Sequence, residues 1–403
     1  MGFSGKSIDW FLKGVVATGL VLAADPAYQL GAVAYLRVNE PEAAFRNRPD
    51  DALAVSAILQ DRLSEGGELQ TKPVNMQAAL QYRPLAAGLI AMQGLVSDAN
   101  GKPAQASREM RLAHRLSRRI APANIWLMEK ASASGDVPAA VRHYHAAMAV
   151  HFELEKLLLP TLARAIAIPE VREALKPYLT QPTRWTGAFL DEASRTANAA
   201  DLEVLLQPLP HGLLAKDYQG PLAAILHRLA IDQGGEAAVR FAGQIIPGFA
   251  AENLTKLDLS NETRDQRLGP LAWNLPANDL IVVDVREGQV LEVTAQPLAS
   301  GLVATRDVLV QGGQNYVLTQ RVFFGSEAAK AGARWSAACV RKEGVNPFWD
   351  QQVPVSQVSV RYRSIIKVPS GCTVARLILH VAGPDAQLPA TVSLSELDLT
   401  LKP

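Results

Sequence analysis

The chain has 403 residues, 48% of them hydrophobic and 20% charged, and a formal net charge of +1. Those figures mark an ordered globular protein with core material for two or three domains. They argue against nucleic acid as a partner, because a dedicated binder carries a basic excess.

The N-terminus reads as a targeting segment. Lys6 and Lys13 precede the apolar run 14–24, which closes at Asp25-Pro26. Eleven apolar residues behind a basic flank fit a signal-peptide core better than a full membrane span, which needs about 20. Val21-Leu22-Ala23 would serve as a cleavage site, yet Trp10-Phe11-Leu12 and residues 30–36 extend the run on both sides. An uncleaved anchor and a cleaved peptide therefore both stay open for residues 1–38. Either way the lysines place the chain beyond Asp25 outside the cytoplasm. The expectation is a periplasmic protein tethered to the inner membrane by residues 10–36, unless the peptide is removed. The competing reading is a buried amphipathic helix of a cytosolic protein. Gly5-Lys6-Ser7 looks like the end of a phosphate loop, but its preceding glycine, Gly2, is three residues back rather than five, and no strand leads into it.

Between Gly101 and Ala147 the chain repeats itself. Gly101 recurs as Gly135, Ala106 as Ala140, Met110 as Tyr144 and Ala113 as Ala147, each 34 residues on. Turn, small, large and small residues at a constant offset describe a stacked helical hairpin. The offset resembles the tetratricopeptide period, and 135–147 resembles the second half of such a repeat. Glycine permits the tight turn, alanine permits close helix approach, and Tyr144 is expected to fill the groove between helices. One hairpin cannot bury its apolar face alone, so neighbours must stack on it. An earlier hairpin is expected over 51–64 and 72–81, around Gly66-Gly67, and a later one over 155–167 and 170–179, where Pro169 replaces the turn glycine. Residues 184–194, 200–206, 221–230 and 236–245 read as further short helices, punctuated by Gly234-Gly235 and Pro247-Gly248. The expectation for 40–250 is a tetratricopeptide-like α-solenoid with a concave inner face.

Arg108, Arg111, Arg115 and Arg118 recur at three and four residues and so line one helix face. They read either as a solvated outer face or as a site for an acidic partner, whether anionic polysaccharide or acidic protein. His143 and His145 point apart on a helix, and although His151 could approach the face of His143, no metal site is expected of the three. Glu153 and Glu155 near His151 form the one acid–base cluster, with helical spacing favouring Glu155.

From about residue 271 the apolar pattern alternates. Ile281, Val283 and Val285 share a face, as do Tyr316, Leu318, Val322 and Phe324, then Val358, Val360 and Tyr362, then Ala375, Leu377, Leu379 and Val381. Period two broken at Glu287-Gly288, Gly312-Gly313 and Gly383-Pro384 predicts a β-sandwich of jelly-roll type over 265–403. The last run changes phase at Ser395-Glu396, which predicts a bulge. Cys339 ends one predicted strand and Cys372 opens another, so the pair is expected as a disulfide, in agreement with the compartment read from the N-terminus.

The hairpins at 84–118 and 125–150, the stretch 185–190, Trp273-Asn274-Leu275, 335–339 and 368–372 resemble bacterial envelope proteins with tetratricopeptide-type repeats encoded beside exopolysaccharide assembly machinery. The C-terminal region resembles the jelly rolls of carbohydrate-binding modules. The resemblance implies a role in assembly, polymerisation or export of a surface polysaccharide, and it defines no functional residues. The expected function is a non-catalytic periplasmic scaffold or adaptor without cofactor, its helices holding an envelope protein and its sandwich holding polysaccharide. Trp349, Phe348 and Trp273 are the glycan-binding candidates, with Tyr362 weaker, because sugars stack on aromatic rings. Phe348-Trp349 follows Asn346-Pro347 and is expected in an exposed loop, whereas Trp335 is expected in the core. The alternative is a polysaccharide lyase or hydrolase, although no nucleophile elbow, His-Glu-x-x-His motif or distinctive carboxylate pair is present.

Overall fold

The computed structural model describes residues 35–36, 39–49, 51–64, 76–207, 218–325, 331–385 and 387–402. The expected signal or anchor segment lies outside the described residues except for Tyr35 and Leu36. Among the described residues no helix is long and apolar enough to cross a membrane. A helical N-terminal half is followed by a C-terminal β-sandwich. The chain falls into two compact units, residues 1–154 and 155–403.

The first unit holds α1 (Pro41–Asn47), α2 (Ala52–Ser64), α3 (Met76–Tyr82), α4 (Ala87–Ala99), α5 (Pro103–Leu116), α6 (Ala121–Ala133) and α7 (Val137–Met148). Pro103, Pro122 and Pro138 sit in first turns, where a missing N–H costs nothing. Helices α4 and α6 open 34 residues apart, and so do α5 and α7. Gly101 and Gly135 make the turn inside each hairpin at φ +68° and +76°, a conformation glycine adopts without a Cβ clash. Asp136 caps α7 by accepting from the Ala139 N–H at 3.0 Å. Ala106, Met110 and Ala113 are buried with Ile90, Ala91 and Trp126 in one apolar cluster. Ala140 and Ala147 are buried in turn, while Tyr144 is only half-buried. The sequence offset thus marks two successive helical hairpins.

The second unit begins with α8 (Glu155–Ala165), α9 (Pro169–Thr180), α10 (Thr186–Thr196), α11 (Ala199–Leu206), α12 (Gln219–Asp232) and α13 (Gly235–Ile245). Trp185, Phe189 and Leu190 are fully buried, the first two rings meeting edge to face at 6.0 Å. That stretch is core.

Among the described residues nine strands follow: β1 (Ile281–Arg286), β2 (Val290–Ala295), β3 (Ser300–Leu309), β4 (Asn315–Phe324), β5 (Gly332–Arg341), β6 (Gly344–Val353), β7 (Val360–Lys367), β8 (Val374–Ala382) and β9 (Ala390–Leu401). They form two antiparallel sheets in the orders β1-β2-β9-β4-β7 and β3-β8-β5-β6. Each sheet mixes early and late strands, so consecutive strands cross repeatedly between the layers. The inward residues of the alternating runs, including Leu318, Phe324, Leu377, Leu379 and Val381, make the core between the sheets. The bulge falls where the pattern changes phase. Thr319 pairs with Asp398 and Arg321 with Ser395, and Glu396 takes φ +52°. Cys339 at the end of β5 and Cys372 before β8 form a disulfide with Cα atoms 5.7 Å apart. Closing a loop of that length stabilises the fold by roughly 3–4 kcal/mol on the chain-entropy estimate.

Helices and sandwich of the second unit are joined through two neighbouring residues of β3. Arg306 is fully buried and donates to the carbonyls of Leu271 (2.9 Å), Lys256 (2.5 Å) and Asn253, with its guanidinium 5.7 Å from the Trp273 ring. Burial pushes this guanidinium down to about 10. Asp307, 1% exposed, accepts from Arg376 of β8 at 2.7 and 2.9 Å and meets His227 Nε2 of α12 at 2.7 Å.

Candidate functional site

Helices α5, α6 and α7 enclose a groove of about 830 Å³. Positions i, i+3 and i+7 share a helix face, so Arg108, Arg111 and Arg115 of α5 form a row about 10 Å long at 1.5 Å per residue. Arg142 of α7 and Lys130 of α6 also line the groove. All five cations are exposed at the surface. Among the described residues none of the four arginines has an ion-pair partner. Lys130 lies 3.5 Å from Asp98 and 5.0 Å over the Trp126 ring. Asp136 contributes a carboxylate to the lining, and one of its oxygens, Oδ1, caps α7. Leu112, Leu127 and Ala131 contribute apolar surface.

Two histidines and a buried amide shape the groove further. Asn124 is fully buried, and its Nδ2 donates to the carbonyls of Arg118 (2.8 Å) and Ile120 (3.2 Å). Its Oδ1 must therefore accept, and it faces His114 Nδ1 at 2.9 Å and His143 Nδ1 at 3.5 Å. Both imidazoles then carry a proton on Nδ1 and offer Nε2 as an acceptor when neutral. Their rings stand edge to face with centroids 5.0 Å apart. Burial, then His114 and the nearby Arg142, push His143 down to about 4, so it is neutral at physiological pH. The arrangement offers positive charge, N–H donors and a strip of apolar surface to an anion.

Three of the four predicted arginines thus converge on one groove, and the fourth does not. Helix α5 stops at Leu116 because Ser117 takes an extended conformation, which leaves Arg118 in the turn beyond. Lys130, Arg142 and His114 escaped the sequence reading. Arg142 lies 34 residues after Arg108, so the repeat offset itself carried the signal. The acid–base cluster is rearranged. The short 3₁₀ turn at Phe152–Leu154 brings Glu153, not Glu155, to His151 Nδ1 at 3.0 Å, while Glu155 pairs with Arg184 at 2.7 Å. Among the described residues no group of three or more His, Cys, Asp or Glu side chains could hold a metal ion.

The aromatic candidates of the sandwich divide. Trp273 is 2% exposed, lies 6.3 Å from Trp335 in the core and donates its indole N–H to the Asp258 carbonyl at 2.9 Å, so it offers no face to a sugar. Trp335 is likewise buried, donating to Gln320 Oε1 at 2.9 Å. Phe348 and Trp349 lie in strand β6, not in a loop. Pro347 lacks an N–H but is tolerated there because β6 is an edge strand. Ala337 pairs with Trp349 and Ala338 with Pro347, so Phe348 is the extra residue of a bulge. Both residues are half-buried and pack against the sandwich core. Tyr362 sits half-buried in β7.

No protein-family model matches this chain, and no curated protein does. The C-terminal β-sandwich resembles carbohydrate-binding modules among solved structures. It is similar to the N-terminal cellulose-binding domain of Cellulomonas fimi β-1,4-glucanase C, with 13% identity over 36% of this chain and 97% of that one and a TM-score of 0.28. It is similar also to a xylan-binding domain from Paenibacillus barcinonensis, with 16% identity over 32% of this chain and 85% of that one and a TM-score of 0.24. A third similar structure is the enzymatically active domain of a tailspike protein from bacteriophage CBA120, with 13% identity over 36% of this chain and a TM-score of 0.28. The chain spans only 22% of the length of that tailspike.

Proposed function

We propose that this chain is a binding protein that works outside the cytoplasm as a scaffold or adaptor in the assembly or export of a bacterial exopolysaccharide. It holds its partners and does not transform them. Its hairpins, read as tetratricopeptide-type repeats of a solenoid, take an anionic partner of the envelope machinery. Its sandwich, read as a jelly roll, takes glycan through the half-buried Phe348 and Trp349. One observation carries the reading: four arginines without ion-pair partners among the described residues line one groove, where they outnumber the lining carboxylate of Asp136. The arginines are exposed, where an ion pair contributes about 0.2–1 kcal/mol, so engaging three together is worth roughly tenfold in affinity.

The test replaces Arg108, Arg111 and Arg115 together by alanine in the full chain. All three are exposed, so the circular dichroism spectrum and melting temperature should hold while co-purification of envelope partners is lost. Undiminished co-purification, or shortening of the polymer by the purified wild-type chain, would overturn the proposal.

A further inference from the structure

The groove's dimensions and lining narrow the class of molecule that fills it. We infer that its occupant is an extended acidic segment of a partner protein, with carboxylates on the arginine row and apolar side chains on the strip between. This rests on the reading of the groove as a ligand site.

Three features favour a polypeptide. The row Arg108, Arg111, Arg115 spans about 10 Å, while alternate side chains of an extended peptide lie roughly 7 Å apart. Two carboxylates two residues apart therefore reach the row together, each within range of a forked guanidinium that can bind it through two parallel hydrogen bonds. Second, the floor is apolar. Leu112, 37% exposed, and the half-buried Leu127 and Ala131 offer surface that leucine-like side chains would cover and that a hydroxyl-rich sugar would leave without gain.

Third, the aromatic residue of the lining is not a sugar platform. Trp126 is 5% exposed, its indole N–H donates to Asp98 at 2.9 Å, and the Lys130 ammonium stands over its ring. Stacking on a pyranose needs an open ring face. The Nε2 atoms of His114 and His143, left as acceptors by Asn124, can take backbone N–H groups of the bound segment.

The experiment measures anisotropy of a labelled peptide of about ten residues, glutamate alternating with leucine so that like side chains share one face. The comparisons are the same peptide with glutamine for glutamate and a polygalacturonate oligomer of matched charge. The acidic peptide should bind the full chain at least about tenfold more tightly than either comparison, as expected where carboxylates and apolar side chains both contribute. Binding should fall about tenfold in the triple arginine-to-alanine variant and weaken as salt rises. Leu112→Gln should weaken the peptide and leave the uronate unchanged.

Should the uronate bind more tightly than the peptide, with that binding lost in the triple variant, the polypeptide assignment fails while the anion-binding groove stands. If no acidic probe binds, or binding survives the triple variant, the groove itself falls and the assignment with it.

Discussion

The side chain of Asp307 makes the sharpest test of how the second unit is built. The residue is 1% exposed and is held by two hydrogen bonds from Arg376 and one contact to His227, so it ties β3 to β8 and to helix α12. Asp307→Asn keeps the shape but removes the charge and sets an NH2 group against donors. Taking one partner from a buried ion pair costs about 3–5 kcal/mol, and the partial exposure of Arg376 places this case near the lower figure. Arg376→Met should cost a similar amount by leaving the carboxylate with His227 alone. The double variant should then lose about 3 kcal/mol instead of the roughly 6 that additivity requires, a coupling of about 3 kcal/mol. Urea unfolding of the full chain, followed by circular dichroism, reads all four corners of the cycle. Acid dependence supplies a second reading. Burial pushes the Asp307 carboxyl up, but the bonds from His227 and Arg376 outweigh it and leave its pKa below 3.8. The unfolded chain therefore binds this proton first as pH falls. Stability from Asp307 is complete above pH 3.8 and is lost as pH drops toward its folded value, a loss that Asp307→Asn should not show. Additive single losses, or a coupling under about 0.5 kcal/mol, would refute the claim that the Asp307–Arg376 pair fastens β3 to β8.

Two further outcomes follow from the sites. The His143 imidazole should titrate near pH 4 in proton NMR, and a midpoint near 6.5 would contradict its burial beside His114 and Arg142. Because the unfolded histidine takes its proton first, His143 lowers stability progressively between pH 6.5 and 4, and His143→Gln should flatten that limb. Replacing Phe348 and Trp349 together by alanine should abolish glycan retention and lower stability by about 2–4 kcal/mol, since both rings are half-buried. Glycan retention equal to wild type would remove them as the sugar site.

Much of the architecture was legible because its causes are local or periodic. The hairpin turns need glycine at 101 and 135, and close helix packing needs alanine five residues after each, at 106 and 140. The period-two runs from Ile281 onward located the strands, and one extra residue at Glu396 announced the bulge. What misled the sequence reading is context. Asn346-Pro347 signals a loop only if the neighbouring strand needs the missing N–H, and an edge strand does not. Trp273 shows no sign in its own neighbourhood that the Asp258 carbonyl will receive its N–H from 15 residues away. The Asp307 cluster joins residues 80 and 69 positions apart, a separation that leaves no pattern in a single sequence. The groove sits between these cases: its arginine row is a local stripe, while Lys130 and Arg142 join it only once α5, α6 and α7 have packed.

The two adjacent residues Arg306 and Asp307 also decide which margin of the sandwich the chain itself covers. Successive side chains of a strand point to opposite faces. Arg306 accordingly turns into the core and fastens the 253–271 connection by three carbonyls, while Asp307 turns outward and fastens α12. Thr373 adds a bond from its hydroxyl to the Ala230 carbonyl of the same helix at 3.3 Å. The β3 and β8 side of this sheet is therefore occupied by the chain itself. In the order β3-β8-β5-β6 the opposite edge is β6, and that strand carries the bulge with Phe348 and Trp349. A bulge at an edge twists the strand away from further pairing and re-aims its side chains. A helix fastened at the β3 margin and the glycan site proposed at Phe348 and Trp349 of β6 would therefore use opposite edges of one sheet.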